Sequence, residues 1–380
     1  MLASILVLEY ALTFAILLAT SGMLVDRVAA INQDSGVEEH GLYVVRGEGI
    51  DQPLHRSQLL EAASRLRALA GHGEVAFGSS VPFYGSGAQV MPISAADNPG
   101  QAAPLQGNAY QGDANFATVL GLRLLQGRRF QAEDITLRHG DSSHLIMLSE
   151  SLAQRLFHGE MALGKQVSIA GQLYSVIGVT SPLAAPTYVG AVKSGFTFLL
   201  PEFPSAETML LVRYGGSVAD LNSVIVGLNK SDAGSVRWGF MPYTYIRTSY
   251  FKADRQSVAA LAAVTGVVLV IALCGILGLT NYWVSRRRRQ IATRRALGAS
   301  KQDIRLHFLG ESGLLVVTGL ALGLLLDVVF SAVFGNFHLE IGLAMLLLSI
   351  VLMLLLAGIV VSISLRRWLR MNPVELMRSL

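Results

Sequence analysis

Four long apolar stretches, Leu2–Val25, Val258–Val284, Gly313–Phe334 and Ile341–Leu365, break up an otherwise mixed chain. Each is near or above the roughly 20 residues that carry a helix across a bilayer core. Between the first and second lies a long stretch, about Asn32 to Gln256, in which helical and strand periods alternate. Gly41–Val45 is a short β-rich run, and SQLLEAASRLRAL (Ser57–Leu69) has apolar residues at helical spacing. The Gly/Ser/Pro-rich passage from Gly78 to Pro104 reads as loops and short strands. Ser149–Phe157 begins with a capping residue and places Leu152, Ala153, Leu156 and Phe157 on one face of a short amphipathic helix. Val167–Ile169 and Tyr174–Val179 alternate about Ala170–Gly171, a hairpin signal. Thr208–Tyr214 reads as a strand and Val218–Leu228 as a helix. Pro182, Pro186, Pro201 and Pro204 mark turns and sheet edges. Val25–Asn32 extends the first helix as a stalk, and Phe251–Gln256 leads into the second. The predicted fold is an α-helical membrane protein with four transmembrane helices and a mixed α/β extracytoplasmic domain inserted between helices 1 and 2.

Composition supports the membrane reading, because a 380-residue chain that is 52% hydrophobic and 15% charged must place apolar surface against lipid. Charge orients it. Segments 285–311 and 366–380 together hold 12 of the 30 Lys and Arg residues against three acidic ones, whereas residues 32–256 carry 17 basic and 19 acidic residues. Short cytoplasmic loops retain such an excess of Lys and Arg. Both termini are thus expected inside, with the large domain outside. The expected segments are 1–31 (helix 1 and stalk), 32–256 (outer domain), 257–285 (helix 2), 286–311 (cytoplasmic loop), 312–335 (helix 3), 341–365 (helix 4) and 366–380 (cytoplasmic tail). Positive charge confined to membrane ends argues against a nucleic-acid partner. The first stretch lacks a basic n-region, contains Glu9 and exceeds a usual h-region, which favours an uncleaved helix over a signal peptide. Cys274 is the single cysteine, so no disulfide forms within the chain.

Catalytic motifs are absent from the sequence. GEMALGK (Gly159–Lys165) has the spacing of a phosphate loop up to its lysine, but Gln166 stands where a Ser or Thr hydroxyl is needed for Mg²⁺. The eight histidines show no metal-ligand spacing; His139 and His144 come nearest, in a polar run that reads as a surface loop. Two ionisable residues lie within apolar stretches, Glu9 in the first and Asp327 in the third. A charge at membrane depth is costly unless paired, hydrated or neutralised. Each reads either as a polar contact across helices or subunits, or as a residue near an interface where water reaches it.

The run Arg286–Glu311, RRRRQIATRRALGASKQDIRLHFLGE, joins the second and third stretches. Arg286–Arg289 wrap most of a helix circumference and form a collar at the interface. Gln290–Leu297 is helix-forming, Gly298 supplies a left-handed stop, and Ser300 with Asp303 forms an S-x-x-D start for the next helix. From these residues alone, a rigid hairpin that transmits displacement and a passive basic loop are both open readings.

This loop resembles the pattern of FtsX/MacB-type permeases of ATP-binding-cassette systems, in which arginines precede E-I-x-x-x-R-A-L-G-A-S and a helix ending in Glu-Ser. Ile291, Arg295, Ala296, Leu297, Gly298, Ala299 and Ser300 match in order, with Glu311 and Ser312 beyond. Gln290 replaces the family glutamate. The tail RRWLRMNPVELMRSL is similar to the family ending. In the outer region, Phe116, Gly127, Arg128, Phe130, Asp134, Ala153, Phe157, Gly164, Lys165 and Gly178 fall on the pattern of the MacB-type periplasmic core domain. One departure concerns the beginning, where family members usually carry a basic amphipathic helix before the first span and this chain enters the membrane within a few residues of Met1.

The resemblance implies a non-catalytic permease subunit of the bacterial inner membrane. Ile291, Arg294, Arg295, Ala296, Leu297, Gly298, Ala299 and Ser300 would contact a cytoplasmic ABC ATPase, which would bind ATP and Mg²⁺; no cofactor is expected in this chain. A second permease chain is implied, and the missing leading helix favours a heteromer, together with a periplasmic adaptor and an outer-membrane channel. Motion would pass to the outer domain and export peptide, antibiotic, toxin or lipid-linked cargo. The alternatives are a module that activates a cell-wall hydrolase or sensor kinase, and lipoprotein extraction from the inner membrane.

Overall fold

The computed structural model describes residues 2–50, 54–85, 89–96, 104–135, 144–187, 195–203, 208–231, 235–287, 290, 293–294, 300–334 and 343–369. They divide into two compact units, Gln33–Lys252 and a helical unit made of Met1–Asn32 with Ala253–Leu380.

The first unit contains two sheets. In the smaller, β1 (Leu42–Gly49), β2 (Val75–Gly78), β10 (Met209–Arg213) and β11 (Val236–Pro242) lie in the order β11-β1-β10-β2, with every pairing antiparallel. Helix α2 (Arg56–Ala70) links β1 to β2, and α5 (Val218–Ser231) links β10 to β11. This is a β-α-β-β-α-β arrangement in which β10 returns between β1 and β2 and β11 flanks β1 on the outside. Leu59, Ala62, Ala63 and Leu66 of α2 recur at helical spacing. They bury against Val45, Val75, Leu210, Val212 and Trp238 of the sheet. Each of the two leucines contributes about 2 kcal/mol by leaving water.

Strands β3 to β9 are inserted between β2 and β10. They are β3 (Gln89–Ala95), β4 (Leu105–Gln111), β5 (Leu124–Gly127), β6 (Leu145–Ser149), β7 (Gln166–Ile169), β8 (Gln172–Thr180) and β9 (Thr197–Leu200). Their order is β5-β8-β6-β9-β4-β3-β7, and β7 also pairs with β8, so six strands close into a ring. Closure removes the open edges that would otherwise template pairing with other chains. β8 manages three partners by length, pairing Gln172–Ser175 with β7 and Gly178–Thr180 with β5. Ile93, Ile146, Leu148, Val176 and Phe198 form the core of this part with Leu152, Ala153, Leu156 and Phe157 of α4 (Glu150–Phe157).

The expected local elements are found where the signals were strong. Ile169 pairs with Gln172 across a two-residue turn, with Ala170 at φ 49° and Gly171 at φ 87°, which is the geometry that suits twisted hairpin strands. Ser149 precedes α4, but its hydroxyl donates to Gly195 O at 2.8 Å rather than capping the helix, tying β6 to the start of β9. Helices α3 (Phe116–Val119) and α6 (Tyr243–Tyr250) were not foreseen, nor were strands β4, β5, β6, β9 and β11.

The helical unit holds α1 (Leu2–Ile31), α7 (Lys252–Arg286), α8 (Lys301–Phe334) and α9 (Leu343–Leu369), four helices long and apolar enough to cross a membrane. α1 runs unbroken through the expected stalk residues, and α9 continues through Arg366 and Arg367 to Leu369. The expected outer turn at Gly335–Glu340 and residues 370–380 of the tail lie outside the described residues. Leu6, Tyr10, Phe14 and Leu17 form one stripe of α1 that meets Val316 and Leu320 of α8 and Met353, Ala357 and Val360 of α9. Gly319 and Gly323 let the backbones of α1 and α8 approach closely. A Cβ on Gly319 would come within 2.6 Å of Tyr10 Cβ, and one on Gly323 within 2.7 Å of Ala11 O. Helices in lipid gain little from burying area, so this small-xxx-small spacing stabilises through close packing.

Candidate coupling site

The junction between α7 and α8 is built from residues at helical spacing near their facing ends. Trp283 and Arg287 are four residues apart at the end of α7, and Phe308 and Glu311 three apart on α8, so each pair shares a face. Trp283 and Phe308 meet edge to face, with ring centroids 5.6 Å apart and planes at 84°, and both are buried. The Arg287 guanidinium lies 4.5 Å over the Trp283 ring and pairs with both carboxylate oxygens of Glu311. With about a third of each side chain exposed, the ion pair contributes about 1 kcal/mol, and the aromatic pair a similar amount. Arg286 stacks 5.3 Å over Tyr282. Together these contacts clasp α7 to α8 beside the basic loop.

At the other end of that loop, Ser300 and Asp303 form a reciprocal cap. The Ser300 amide donates to Asp303 Oδ2 at 3.0 Å, and the Asp303 amide donates to Ser300 Oγ at 3.1 Å. This satisfies two amides at the start of α8. The Ser300 hydroxyl, followed by its amide, holds the Asp303 carboxyl below the usual carboxylate range.

Among the expected coupling residues, Arg294 is helical and exposed, as is its neighbour Thr293, while Ser300 is the exposed capping residue. Ile291, Arg295, Ala296, Leu297, Gly298 and Ala299 lie outside the described residues. The two acids within the apolar helices are placed differently. Glu9 fills the notch left by Gly275 of α7, where a Cβ would come within 2.0 Å of Glu9 Oε1. Its Oε2 is buried without a hydrogen-bond partner among the described residues. Asp327 is half-buried on α8. The sequence reading did not pick out the clasp; Trp at a span end with Arg four residues on was the available signal.

Gly159–Lys165 runs from the C-terminus of α4 to β7, whereas a phosphate loop runs from a strand to a helix N-terminus. Lys165 Nζ donates to Glu160 Oε2 at 2.5 Å and lies 4.9 Å from the centre of the Phe157 ring. Among the described residues no cluster of three or more His, Cys, Asp or Glu could hold a metal ion.

Comparison with known proteins connects both units to one family. Residues 10–237 match the MacB-like periplasmic core domain and residues 262–373 match the FtsX-like permease C-terminal region. A macrolide export ATP-binding/permease protein MacB of Mannheimia succiniciproducens is 22% identical over 62% of this chain and 37% of its own length. An uncharacterized ABC transporter permease, YvrN of Bacillus subtilis, is 23% identical over 65% of this chain and 61% of its own length. The chain therefore spans between about a third and three-fifths of these two curated relatives. The crystal structure of the periplasmic region of MacB from Actinobacillus actinomycetemcomitans aligns with 58% of this chain and 97% of its own, at 15% identity and a TM-score of 0.39. With one family description covering the outer unit and another the last three apolar helices, the chain belongs to the MacB-like, FtsX-like family of ABC-transporter permeases.

Proposed function

We propose that this chain is the permease subunit of an ABC export system in the bacterial inner membrane, moving its outer domain in response to ATP hydrolysis in a separate cytoplasmic subunit. The clasp of Trp283 and Arg287 with Phe308 and Glu311 is the observation that carries this reading. It joins the ends of two apolar helices beside a basic loop, so a push on the loop is carried into α7 and levered against α8 instead of bending a slack connection. The concentration of Lys and Arg in 285–311 and 366–380 supports a cytoplasmic position for that side, with residues 33–252 in the periplasm. In this reading Ile291, Arg294, Arg295, Ala296, Leu297, Gly298, Ala299 and Ser300 contact the ATPase, which binds ATP and Mg²⁺.

A second permease chain, preferentially a different one, completes the membrane part. Relatives named for macrolide export support an export role, with a periplasmic adaptor and an outer-membrane channel as further partners. The cargo class is peptide, antibiotic, toxin or lipid-linked material handled at the outer face. Substituting Leu297→Asp charges the loop without touching an apolar helix. The expected result is normal expression with loss of cargo-stimulated ATP hydrolysis in the assembled complex. Wild-type stimulation in this variant would contradict the placement of the coupling element.

A further inference from the structure

The chain crosses between the two units twice, once after α1 and once before α7. Within the unit Gln33–Lys252, the residues that follow the first crossing are tied to those that precede the second. Arg247, on the last turn of α6, donates from one guanidinium nitrogen to Glu39 Oε1 and from the other to the carbonyl of Gln33 at 2.6 Å. Glu39 also accepts from Ser35 Oγ at 2.8 Å, and Ser35 O accepts from the Ala184 amide at 3.0 Å. The arginine and glutamate side chains are 22% and 24% exposed, so water screens the pair only weakly.

An aromatic floor supports this cluster. Arg247 lies 5.6 Å from the centre of the Phe83 ring, which packs against Tyr250 and Phe251 at 5.7 and 4.9 Å. Phe83 is held at φ 60°, a left-handed conformation that a bulky residue keeps only where its surroundings fix it. Tyr243, on the first turn of α6, is fully buried beside the same group of residues, and burial, followed by the Glu39 charge, raises its hydroxyl above the ordinary range. Residues 33–39, Phe83 and α6 thus meet at Arg247, and Ala184 joins them through Ser35. Within the helical unit the same two crossings are joined again, because Arg27 near the end of α1 pairs with Asp254 in the first turn of α7.

We infer that Arg247 and Glu39 form a cross-brace that makes the two chain crossings move as one element. Without it, displacement of α7 relative to α1 would be absorbed in the connecting residues. With it, the displacement is passed jointly to the residues by which the chain enters and leaves the unit Gln33–Lys252. Arg247 and Glu39 are positioning residues in this scheme, since they touch no cargo or nucleotide. The inference deepens the export reading above and rests on it for its biological meaning, but the brace itself can be tested without an ATPase or a cargo.

The test uses the full chain in lipid nanodiscs with Cys274→Ala, and with Arg27→Cys and Asp254→Cys introduced where α1 and α7 already touch. The rate of disulfide formation between the two new cysteines reports how persistently the crossings stay together. Adding Arg247→Gln or Glu39→Gln is expected to slow that rate at least fivefold. The exchanged pair Arg247→Glu with Glu39→Arg is expected to restore it, which a general loss of packing would not do. Hydrogen exchange in β1, β10 and β11 serves as the folding control and is expected to stay unchanged. Rates within twofold of the parent in both single variants, or slowing that the exchanged pair fails to rescue, would overturn the brace while leaving the permease reading untouched. Conversely, a confirmed brace in a chain that recruits no ATPase would remove the export reading and keep the mechanical one.

Discussion

Along α1, helix α8 packs at backbone distance, whereas α7 touches the rest of the helical unit along one narrow line. The α1–α8 seam depends on Gly319 and Gly323 facing Tyr10, Ala11 and Phe14. On α7 the buried positions are Ala272, Ile276, Thr280 and Trp283, a single stripe in its second half. Val264, Val267, Val270 and Ile271 are all more than half exposed. The difference leaves α7 as the helix with the least packing inside the unit to resist displacement. α1, α8 and α9 form a body held by dense packing. α7 is held near its two ends, by Arg27–Asp254 and by the clasp with α8, and at Gly275 by the Glu9 carboxyl.

The sharpest way to break this comparison is to add bulk on each side of it. Gly323→Leu drives a side chain into the Ala11 carbonyl and the Phe14 ring, and it is expected to cost about 3 kcal/mol, read as a lower melting temperature in detergent. At Gly266 on α7 an added Cβ meets nothing within 4 Å, and Gly266→Leu is expected to destabilise by less than about 0.5 kcal/mol. Equal losses would mean that α7 is packed as tightly as α8.

A second contrast separates the two units. Asp113 in the α/β unit has its carboxyl raised to about 6 by burial, with its Oδ2 4.0 Å from Arg67 and its Oδ1 accepting from the Asn115 amide at 3.2 Å. The folded state therefore binds a proton more tightly than the unfolded chain, and stability falls as pH rises from about 4 through 6. Asp113→Asn is expected to remove that slope and stabilise the unit at pH 7 by about 2 kcal/mol, measured by thermal melts across pH. A slope that survives the substitution would assign the titration to another group.

Smaller effects follow at the junction. Arg287→Gln removes the ion pair but keeps the Trp283–Phe308 contact, with an expected loss of about 1 kcal/mol and faster hydrogen exchange at the end of α7. Ser300→Ala removes one side of the reciprocal cap, expected to cost about 0.5 kcal/mol and to show as fraying confined to the first turn of α8. Exchange spreading along α8 would mean that the cap holds more than its own turn.

Much of this architecture was legible because it is local. The four apolar runs, the helical spacing of Leu59 to Leu66, the Ala170–Gly171 turn and the Ser300–Asp303 cap all specify their structure within a few residues. The ring of β3 to β9 was not legible, since pairings such as β4 with β9 join residues far apart in sequence and depend on no single motif. α6 was hidden because TYIRTSY mixes β-branched and aromatic residues that read equally well as a strand. At the candidate site, Ser300 and the loop pattern were visible. The Arg287–Glu311 clasp and the Arg247–Glu39 brace were not, because an ion pair across 24 or 208 residues leaves no periodic trace. Gly319-Leu-Ala-Leu-Gly323 did carry a small-residue signal, within a stretch whose apolar character masked it.

The most direct test of α7 as the moving helix is a pair of spin-label distances in lipid nanodiscs, recorded on the complex with the ATPase that co-purifies. One pair labels Leu12 of α1 and Val270 of α7, and the other labels Leu12 and Leu325 of α8, all at exposed positions. Adding a non-hydrolysable ATP analogue is expected to shift the α1–α7 distance by several ångströms and leave the α1–α8 distance unchanged. Equal shifts in both pairs, or movement in the α1–α8 pair alone, would contradict the division into a fixed body and a mobile α7.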